Sequence, residues 1–134
     1  MRTTRFSVDT TGRAVVEITE QVVRFARGGG EDGLLNVFVP HATAGVALIE
    51  TGAGSEEDLA EAIERLLPRD RRYAHSHGSP GHGADHLVPA LVPSSLVLPV
   101  TGGEVVLGTW QRVVLVDTNR ENNTRTVVLS FLAG

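Results

Sequence analysis

The last forty residues of the chain constrain its fold most, because they form an almost unbroken succession of strand-forming runs. Ser95–Val100 and Glu104–Leu107 lie on either side of a Thr-Gly-Gly turn, which is a hairpin signal. Trp110–Asp117 and Arg125–Leu132 are two longer runs on either side of a polar turn, and we predict that they form a second pair. Strands with no helix between them predict an antiparallel sheet or two packed sheets.

The first half of the chain adds shorter strands and a helix. Phe6 and Val8 alternate with polar neighbours, Ala14–Ile18 is a second strand, and Leu34–Val39 is a buried strand that ends before a proline. A short helix begins at Thr19 and ends before three consecutive glycines. The mixture of separate strands and helices predicts an α+β fold.

The clearest helix of the chain covers Ser55–Leu67. Ser55 is suited to cap it, three acidic residues fill its first turn, and five apolar residues form one stripe before Pro68 ends it. Residues 69–93 then read as a long loop. A loop of this length in a compact domain is usually functional or disordered.

Composition excludes several classes of protein and of site. The 134 residues suit one domain, near the common size of about 100–150 residues. The net charge of −4 argues against a nucleic-acid partner, which requires a basic face. Without cysteine a metal must bind to His, Asp, Glu or water. No apolar run approaches the roughly 20 residues of a membrane span, and the N-terminus has no secretory pattern, so we expect a cytoplasmic protein with no membrane partner.

Four of the five histidines are concentrated in twelve residues of the long loop. Neutral imidazole is the commonest metal ligand in proteins and titrates nearest to neutral pH. A glycine-rich loop with several of them, together with a distant partner, can assemble a site; the alternative is a solvated loop with scattered histidines. The residues are His75, His77, His82 and His86 in the loop and His41 after a buried strand and a proline.

Two acids and an arginine are further candidates for chemistry. Glu50 follows an apolar run; it is either an exposed acid at a strand end or a carboxylate that orients an imidazole or acts as a base. Asp58 lies in the first turn of the clearest helix, where it either favours the helix N-terminus or faces a pocket. Arg125 is either exposed or a planar, bidentate grip for phosphate or carboxylate. The only tryptophan, Trp110, is expected in the core.

The most specific pieces of the sequence are two motifs, His41-x-Thr-Ala-Gly and Leu-Gly-Thr-Trp110-Gln. Around them stand, in order, Glu50, Asp58, Tyr73-x-His75, Gly-Ala-Asp-His86, Ser94-Ser95, Asp117 and Arg125. From about Phe6 to Gly134, this order resembles the YjbQ-like family, also called secondary thiamine-phosphate synthases.

The resemblance implies a single compact α+β domain over residues 1–134, with an antiparallel β-sandwich core and two helices, in a homotrimer. It also implies a divalent metal, zinc or magnesium, on His41, His75 and His86. Three imidazoles with an open position are typical of catalytic zinc. We therefore expect these three rings to converge.

For activity, the resemblance implies thiamine-phosphate synthesis, which joins a pyrimidine diphosphate to a thiazole phosphate. Glu50, Asp58 and Arg125 would then be catalytic, and Ser94 and Ser95 would bind phosphate. The sequence therefore predicts an enzyme that acts on small phosphorylated substrates with a His-bound divalent metal. A non-catalytic protein that binds a metal or a small ligand is the alternative.

The chain departs from the family pattern in two places near the predicted site. The family usually has Asn where His82 stands, and His77 also has no family counterpart. An Asp-Gly-Pro-Arg turn of the family is replaced by the longer Asp117–Asn123 segment. The rim of the pocket is therefore expected to differ in this chain.

Overall fold

Eight strands form two antiparallel sheets in the computed structural model, which describes all 134 residues. One sheet has five strands in the order β1-β8-β3-β5-β6, and the other has three in the order β2-β7-β4. The elements in chain order are β1 Arg2–Asp9, β2 Val15–Glu17, α1 Thr19–Arg27, β3 Gly33–Phe38, β4 Ala44–Ile49, α2 Ser55–Leu66, α3 His82–Asp85, α4 Val88–Leu91, β5 Ser95–Thr101, β6 Glu104–Val105, β7 Arg112–Asp117 and β8 Thr124–Ala133.

The core lies between the inner faces of the two sheets, and β8 shows why. Val127, Leu129 and Phe131 alternate along β8 and are buried, while their neighbours are more exposed. They join one cluster with residues of the other sheet, such as Val113 and Leu115 of β7. A period of two therefore gives β8 one apolar face, as expected for a half-buried strand.

Strand β7 is buried on both faces, because a second apolar layer covers its outer side. Val114 and Val116 pack with Ile63 of α2 and Val88 of α4, while their neighbours along the strand face the main core. The continuous apolar run from Val113 to Val116 thus reflects a strand covered on both sides. The α+β fold and its two packed sheets confirm the expected class.

The two longer helices lie where the sequence predicts them. Helix α1 buries Val22 and Ala26 and ends at the glycine run. Helix α2 begins after Gly54, whose φ of 97° lies in the left-handed region; Ser55 makes no capping hydrogen bond, contrary to the prediction. Only Ile63 of the α2 stripe is fully buried. The loop after α2 contains two further one-turn helices, α3 and α4.

One expectation about strand pairing is wrong, and one strand was left out of the prediction. The last two long runs do not pair with each other: β7 pairs with β2 and β4, whereas β8 pairs with β1 and β3. The segment between them crosses from one sheet to the other, and pairing by chain order therefore fails. The strand β4 was not predicted. It contains Gly45, where a Cβ atom would lie 1.9 Å from the carbonyl oxygen of Val92.

No helix of the chain is both long and apolar enough to cross a membrane. Helices α2 and α4 cover the outer face of the smaller sheet. The loop that holds four histidines runs from the end of α2 into α3 and α4. This loop meets the segment between β7 and β8 through Thr118 and Glu121, as described next.

Candidate metal centre

Three histidines of the long loop place their ring nitrogens together. One nitrogen from each of His75, His77 and His86 lies within 4.8 Å of the other two. The ring centroids are 3.9 Å apart between His75 and His77 and 4.2 Å apart between His75 and His86. His82 adjoins this group, since its Nε2 lies 3.1 Å from the Nε2 of His86. We call these four residues the histidine cluster.

The local sequence explains how the cluster forms. His82 and His86 are four residues apart on and just after α3, so their side chains lie on the same side of the turn. Gly81, at a φ of 83°, starts this turn. Gly83 lets the preceding loop approach, because a Cβ atom there would lie 2.9 Å from the carbonyl oxygen of His75.

Asp85 fixes the orientation of His82 from behind. Its Oδ2 lies 3.0 Å from Nδ1 of His82, and both side chains are buried. Its Oδ1 accepts a hydrogen bond of 2.6 Å from Thr118 Oγ1 and pairs with the guanidinium of Arg69. A carboxylate on Nδ1 favours the tautomer with the proton on that nitrogen. The lone pair of Nε2 is then directed into the cluster, where Nε2 of His86 lies 3.1 Å away.

The cluster contains a buried nitrogen with no partner. Nδ1 of His75 is shielded from solvent and makes no hydrogen bond, although buried polar atoms are nearly always bonded. Burial lowers the pKa of His86, and the neighbouring His75, His82 and His77 lower it further. These effects favour the neutral form of the His86 imidazole, which is the form that binds metal. A bound divalent ion would give the histidine cluster the partner that it lacks, and it would be held by neutral imidazole.

The segment that departs from the family pattern also reaches the cluster. Glu121 Oε1 accepts a hydrogen bond of 2.5 Å from the backbone N–H of Ser79, and its Oε2 lies 3.9 Å from Nε2 of His82. The Ser79 N–H, together with other contacts, lowers the pKa of Glu121. A pocket of about 290 Å³ opens here, lined by Tyr73, His75, His77 and His82 among others. The longer turn thus supplies a carboxylate to the rim.

His41 does not join the other histidines, contrary to the expected convergence. Its Nε2 accepts a hydrogen bond of 2.8 Å from the backbone N–H of Thr126, and its Nδ1 lies 3.5 Å from Nη1 of Arg125. The cause is the pairing of β3 with β8, which places the end of β3 beside the start of β8. Burial and the Arg125 charge lower the pKa of His41.

Arg125 is buried rather than exposed to a phosphate. Only 4% of the residue is accessible, its Nε pairs with the carboxylate of Asp117, and its Nη2 donates to Thr43 Oγ1 at 3.3 Å. Asp117 Oδ1 also accepts hydrogen bonds from Thr43 and from the N–H of Asn119. Burial raises the pKa of Asp117, and these partners offset only part of that effect. We call His41, Thr43, Asp117 and Arg125 the internal cluster.

The two predicted catalytic acids lie on the surface. Glu50 follows β4, is exposed, and makes no hydrogen bond or ion pair. Asp58 is exposed in the first turn of α2, where only its backbone N–H is bonded, to Gly54. The structure therefore brings neither acid to the histidine cluster, and each matches the alternative weighed for it: a strand-end acid and an acid at a helix N-terminus.

The remaining candidates lie at strand ends. Ser94 Oγ donates to the carbonyl oxygen of Ala44 at 3.4 Å, and Ser95 is exposed at the start of β5. Trp110 is 72% exposed, so its expected place in the core is wrong. It precedes β7 in a turn closed by Gln111, whose side chain accepts a hydrogen bond from the N–H of Gly108. The Leu-Gly-Thr-Trp-Gln motif therefore reflects this turn and not core packing.

With this geometry established, the chain can be compared with known proteins. The family model described as UPF0047 protein YjbQ-like matches residues 4–134. The chain belongs to the YjbQ-like family. A UPF0047 protein of Mycobacterium tuberculosis is 59% identical over 134 residues and is covered fully, as is this chain. A UPF0047 protein of Archaeoglobus fulgidus is 34% identical, with 85% of this chain and 88% of the relative aligned.

Solved structures of YjbQ-like proteins share the fold. A hypothetical protein from Aeropyrum pernix superposes with a TM-score of 0.89 at 35% identity, and both chains are covered fully. A YbjQ-like protein of unknown function from Sulfolobus solfataricus gives a TM-score of 0.90 at 27% identity, covering 99% of this chain and 97% of the other. The comparisons establish the YjbQ-like fold for the whole chain.

Reasoning from sequence did not assign Asp85 or Glu121 to this site, and it treated His77 and His82 as alternative ligands or solvated loop residues. Part of the signal was present. His82-x-x-Asp85-His86 has the i, i+3, i+4 spacing that places two imidazoles and a carboxylate on one side of a helical turn. Glu121 carried no such signal, because its contact spans 42 residues of sequence.

Proposed function

We propose that the chain is a metal-dependent enzyme that acts on a small phosphorylated substrate. The observation that carries this proposal is the histidine cluster: His75, His77 and His86 offer nitrogens within 4.8 Å of one another, and Nδ1 of His75 is buried without a partner. Asp85 holds His82 beside them. Thiamine-phosphate synthesis, which the family resemblance implies, is the reaction to test first.

Zinc suits these ligands better than magnesium. Imidazole nitrogens favour zinc and other late transition metals, whereas magnesium prefers oxygen ligands and retains its waters. His75, His77 and His86 supply three nitrogens, and the Nε2 of His82 is available as a fourth or as a partner for a bound water. Glu121 is the nearest carboxylate at the rim.

The residues around the pocket suit a phosphorylated substrate. When bound, a divalent ion supplies positive charge that offsets the charge of a departing diphosphate. Arg71 lines the pocket, is exposed and forms no ion pair, so its guanidinium is free to bind phosphate. It replaces Arg125 in the predicted role, since Arg125 is occupied internally. Arg72, in contrast, is neutralised by Asp70.

The test combines metal analysis with a thiamine-phosphate assay, with and without chelator. We expect about one zinc per chain and weak turnover that the chelator removes and zinc restores. His75→Gln and His86→Gln should lose both metal and turnover, whereas His41→Gln should retain the metal because His41 lies outside the cluster. Turnover that survives complete metal removal would refute the proposal.

One observation favours the second candidate, a non-catalytic protein that binds a metal or a small ligand. Glu50 and Asp58 are both exposed and do not contact the cluster, and the charge of Arg125 is paired within the protein. The histidine cluster would then bind an ion, and neither of the two predicted acids would serve as a general base. Stoichiometric metal with no turnover of the pyrimidine and thiazole substrates would decide for this candidate.

We also propose that the chain forms a homotrimer in the cytoplasm. The outer face of the five-stranded sheet carries a row of paired apolar residues, since Leu34 lies opposite both Pro99 and Leu132. Leu34, Val97 and Leu132 are 49%, 57% and 58% exposed, and no helix covers them. A contiguous apolar face of this kind is typical of subunit interfaces. Light scattering tests the mass, and a monomer at micromolar concentration would refute the trimer.

A further inference from the structure

A second cavity of the molecule contains none of the four histidines in its lining, although Asp85, which holds His82, is part of its wall. It measures about 480 Å³ and lies between α2, the turn after β1 and the segment between β7 and β8. Small-molecule sites typically measure about 300–1,000 Å³. None of the residues that line it also lines the pocket at the histidines.

The two walls of this cavity differ in chemistry. Helix α2 contributes an apolar wall with Ala60, Ile63 and Leu67. The opposite side is polar: hydroxyl and amide groups of Thr10, Thr11, Thr118, Asn119 and Asn123 line it. An apolar body would thus lie on the helix while polar groups of the same molecule meet donors across the cavity. This combination is typical of sites for small organic ligands.

The charges on the cavity wall favour an anion. Arg69 is neutralised by Asp85, and Asp117 by Arg125, so these charges are balanced within the protein. Arg13 and Arg120 also line the cavity, and neither forms an ion pair. Arg13 donates to the carbonyl oxygen of Asp9, whose carboxylate also interacts with the Arg13 charge but does not line the cavity.

Against these two cations stands one acid of the wall, Glu64, which is exposed and unpaired. The unbalanced charge of the cavity is therefore positive. Guanidinium groups bind phosphate and carboxylate in a bidentate manner, and a phosphate offers three oxygens to two arginines.

We propose that this cavity binds a small organic phosphate, with its apolar body against Ile63 and Leu67 and its phosphate between Arg13 and Arg120. The site is separate from the metal centre and does not depend on the proposed function. It would hold its ligand in protein whose histidine cluster is altered.

The test uses phenyl phosphate as the probe and the full chain labelled for NMR. We expect saturable shifts of the backbone amides of Arg13, Ile63, Leu67 and Asn119. Inorganic phosphate should bind more weakly because it lacks the apolar body, and benzylamine should not bind. Phenyl phosphate should bind His86→Gln as well as the parent, which separates this site from the metal centre.

Two variants and a control decide the outcome. Arg13→Gln with Arg120→Gln should weaken phenyl phosphate binding at least about tenfold, because two charge-assisted hydrogen bonds are lost. Ala60→Leu should block binding by filling the cavity. Arg65→Gln, an exposed arginine on α2 outside the cavity, should bind as the parent does. Shifts confined to the histidine loop, no saturable shift, or equal binding by the double variant would each overturn the proposal.

Discussion

The histidine cluster and the internal cluster are both built from polar side chains, yet their partners differ. In the internal cluster every member meets another: His41 contacts Arg125, and Arg125 joins Asp117 and Thr43. In the histidine cluster, four imidazoles meet mainly one another, and a buried nitrogen of His75 has no partner.

The difference separates a structural group from a candidate site. A polar cluster whose charges are balanced within the protein stabilises the fold. Removing one partner leaves the other buried without a counter-charge and lowers the free energy of unfolding. A cluster in which a buried imidazole nitrogen has no partner is incomplete until something binds. Four experiments test this contrast, and the first of them should show the greatest change.

Removing the cation of the internal cluster should destabilise the fold most. Arg125→Met leaves the carboxylate of Asp117 buried without its partner, which we expect to lower the free energy of unfolding by about 3–5 kcal/mol. Urea denaturation measures the change. Arg112→Met, at an exposed position that begins β7, should stay within about 0.5 kcal/mol of the parent. Equal effects of the two variants would show that the internal cluster is not structural.

Removing the carboxylate that contacts Nδ1 of His82 should weaken metal binding. Asp85→Asn weakens the grip on Nδ1 of His82, so we expect zinc affinity to fall about 10- to 100-fold. Competition with a chromophoric chelator measures the dissociation constant. Asp58→Asn, which changes an exposed acid outside the cluster, is the matched control and should bind zinc as the parent does. An unchanged constant in Asp85→Asn would separate Asp85 from the site.

The rim carboxylate should have a smaller effect. Glu121→Gln replaces a charge-assisted hydrogen bond to Ser79 with a neutral one, about half as strong, and zinc affinity should fall about fivefold. The same competition measures it, with Glu57→Gln on the exposed side of α2 as control. A loss as large as that of Asp85→Asn would instead indicate that Glu121 binds the metal directly.

The contribution of His41 to the pH dependence of stability should be the smallest effect. Its pKa in the folded chain is lowered, so the unfolded chain binds the proton more readily. His41 therefore contributes stability above its ordinary pKa of about 6.5, and this is lost as the pH falls through its lower folded pKa. Thermal melts from pH 8 to 5 should fall less steeply for His41→Gln than for the parent. Parallel curves would contradict this assignment.

Much of the fold follows from local pattern, because strand alternation and helix periodicity are properties of short segments. The runs at β3, β5, β7 and β8 and the helices α1 and α2 could all be predicted this way. Pairing could not. Residues 118–123 look like a hairpin turn, but they connect two sheets, and nothing local distinguishes the two cases. Strand β4 was not predicted because a glycine and small residues weaken its strand-forming pattern.

The site was predicted only where its residues share a loop. His75 and His86 meet because 11 residues of glycine-rich chain fold back through Gly81 and Gly83. The position of His41 depends on the pairing of β3 with β8. Its separation from the other histidines could therefore not be predicted without knowing the order of strands in the sheet. Arg125 shows the same limit, since burial beside Asp117 is a property of two strands in different sheets.

X-ray absorption spectroscopy of the zinc-loaded protein identifies the ligands of the metal. We expect one zinc with at least three imidazole nitrogens at about 2.0–2.1 Å. The same spectrum should appear in His41→Gln, and the imidazole contribution should fall in His75→Gln and His86→Gln. A shell of oxygen ligands without imidazole, or an imidazole signal that disappears in His41→Gln and persists in the loop variants, would contradict the assignment of the metal to the histidine cluster.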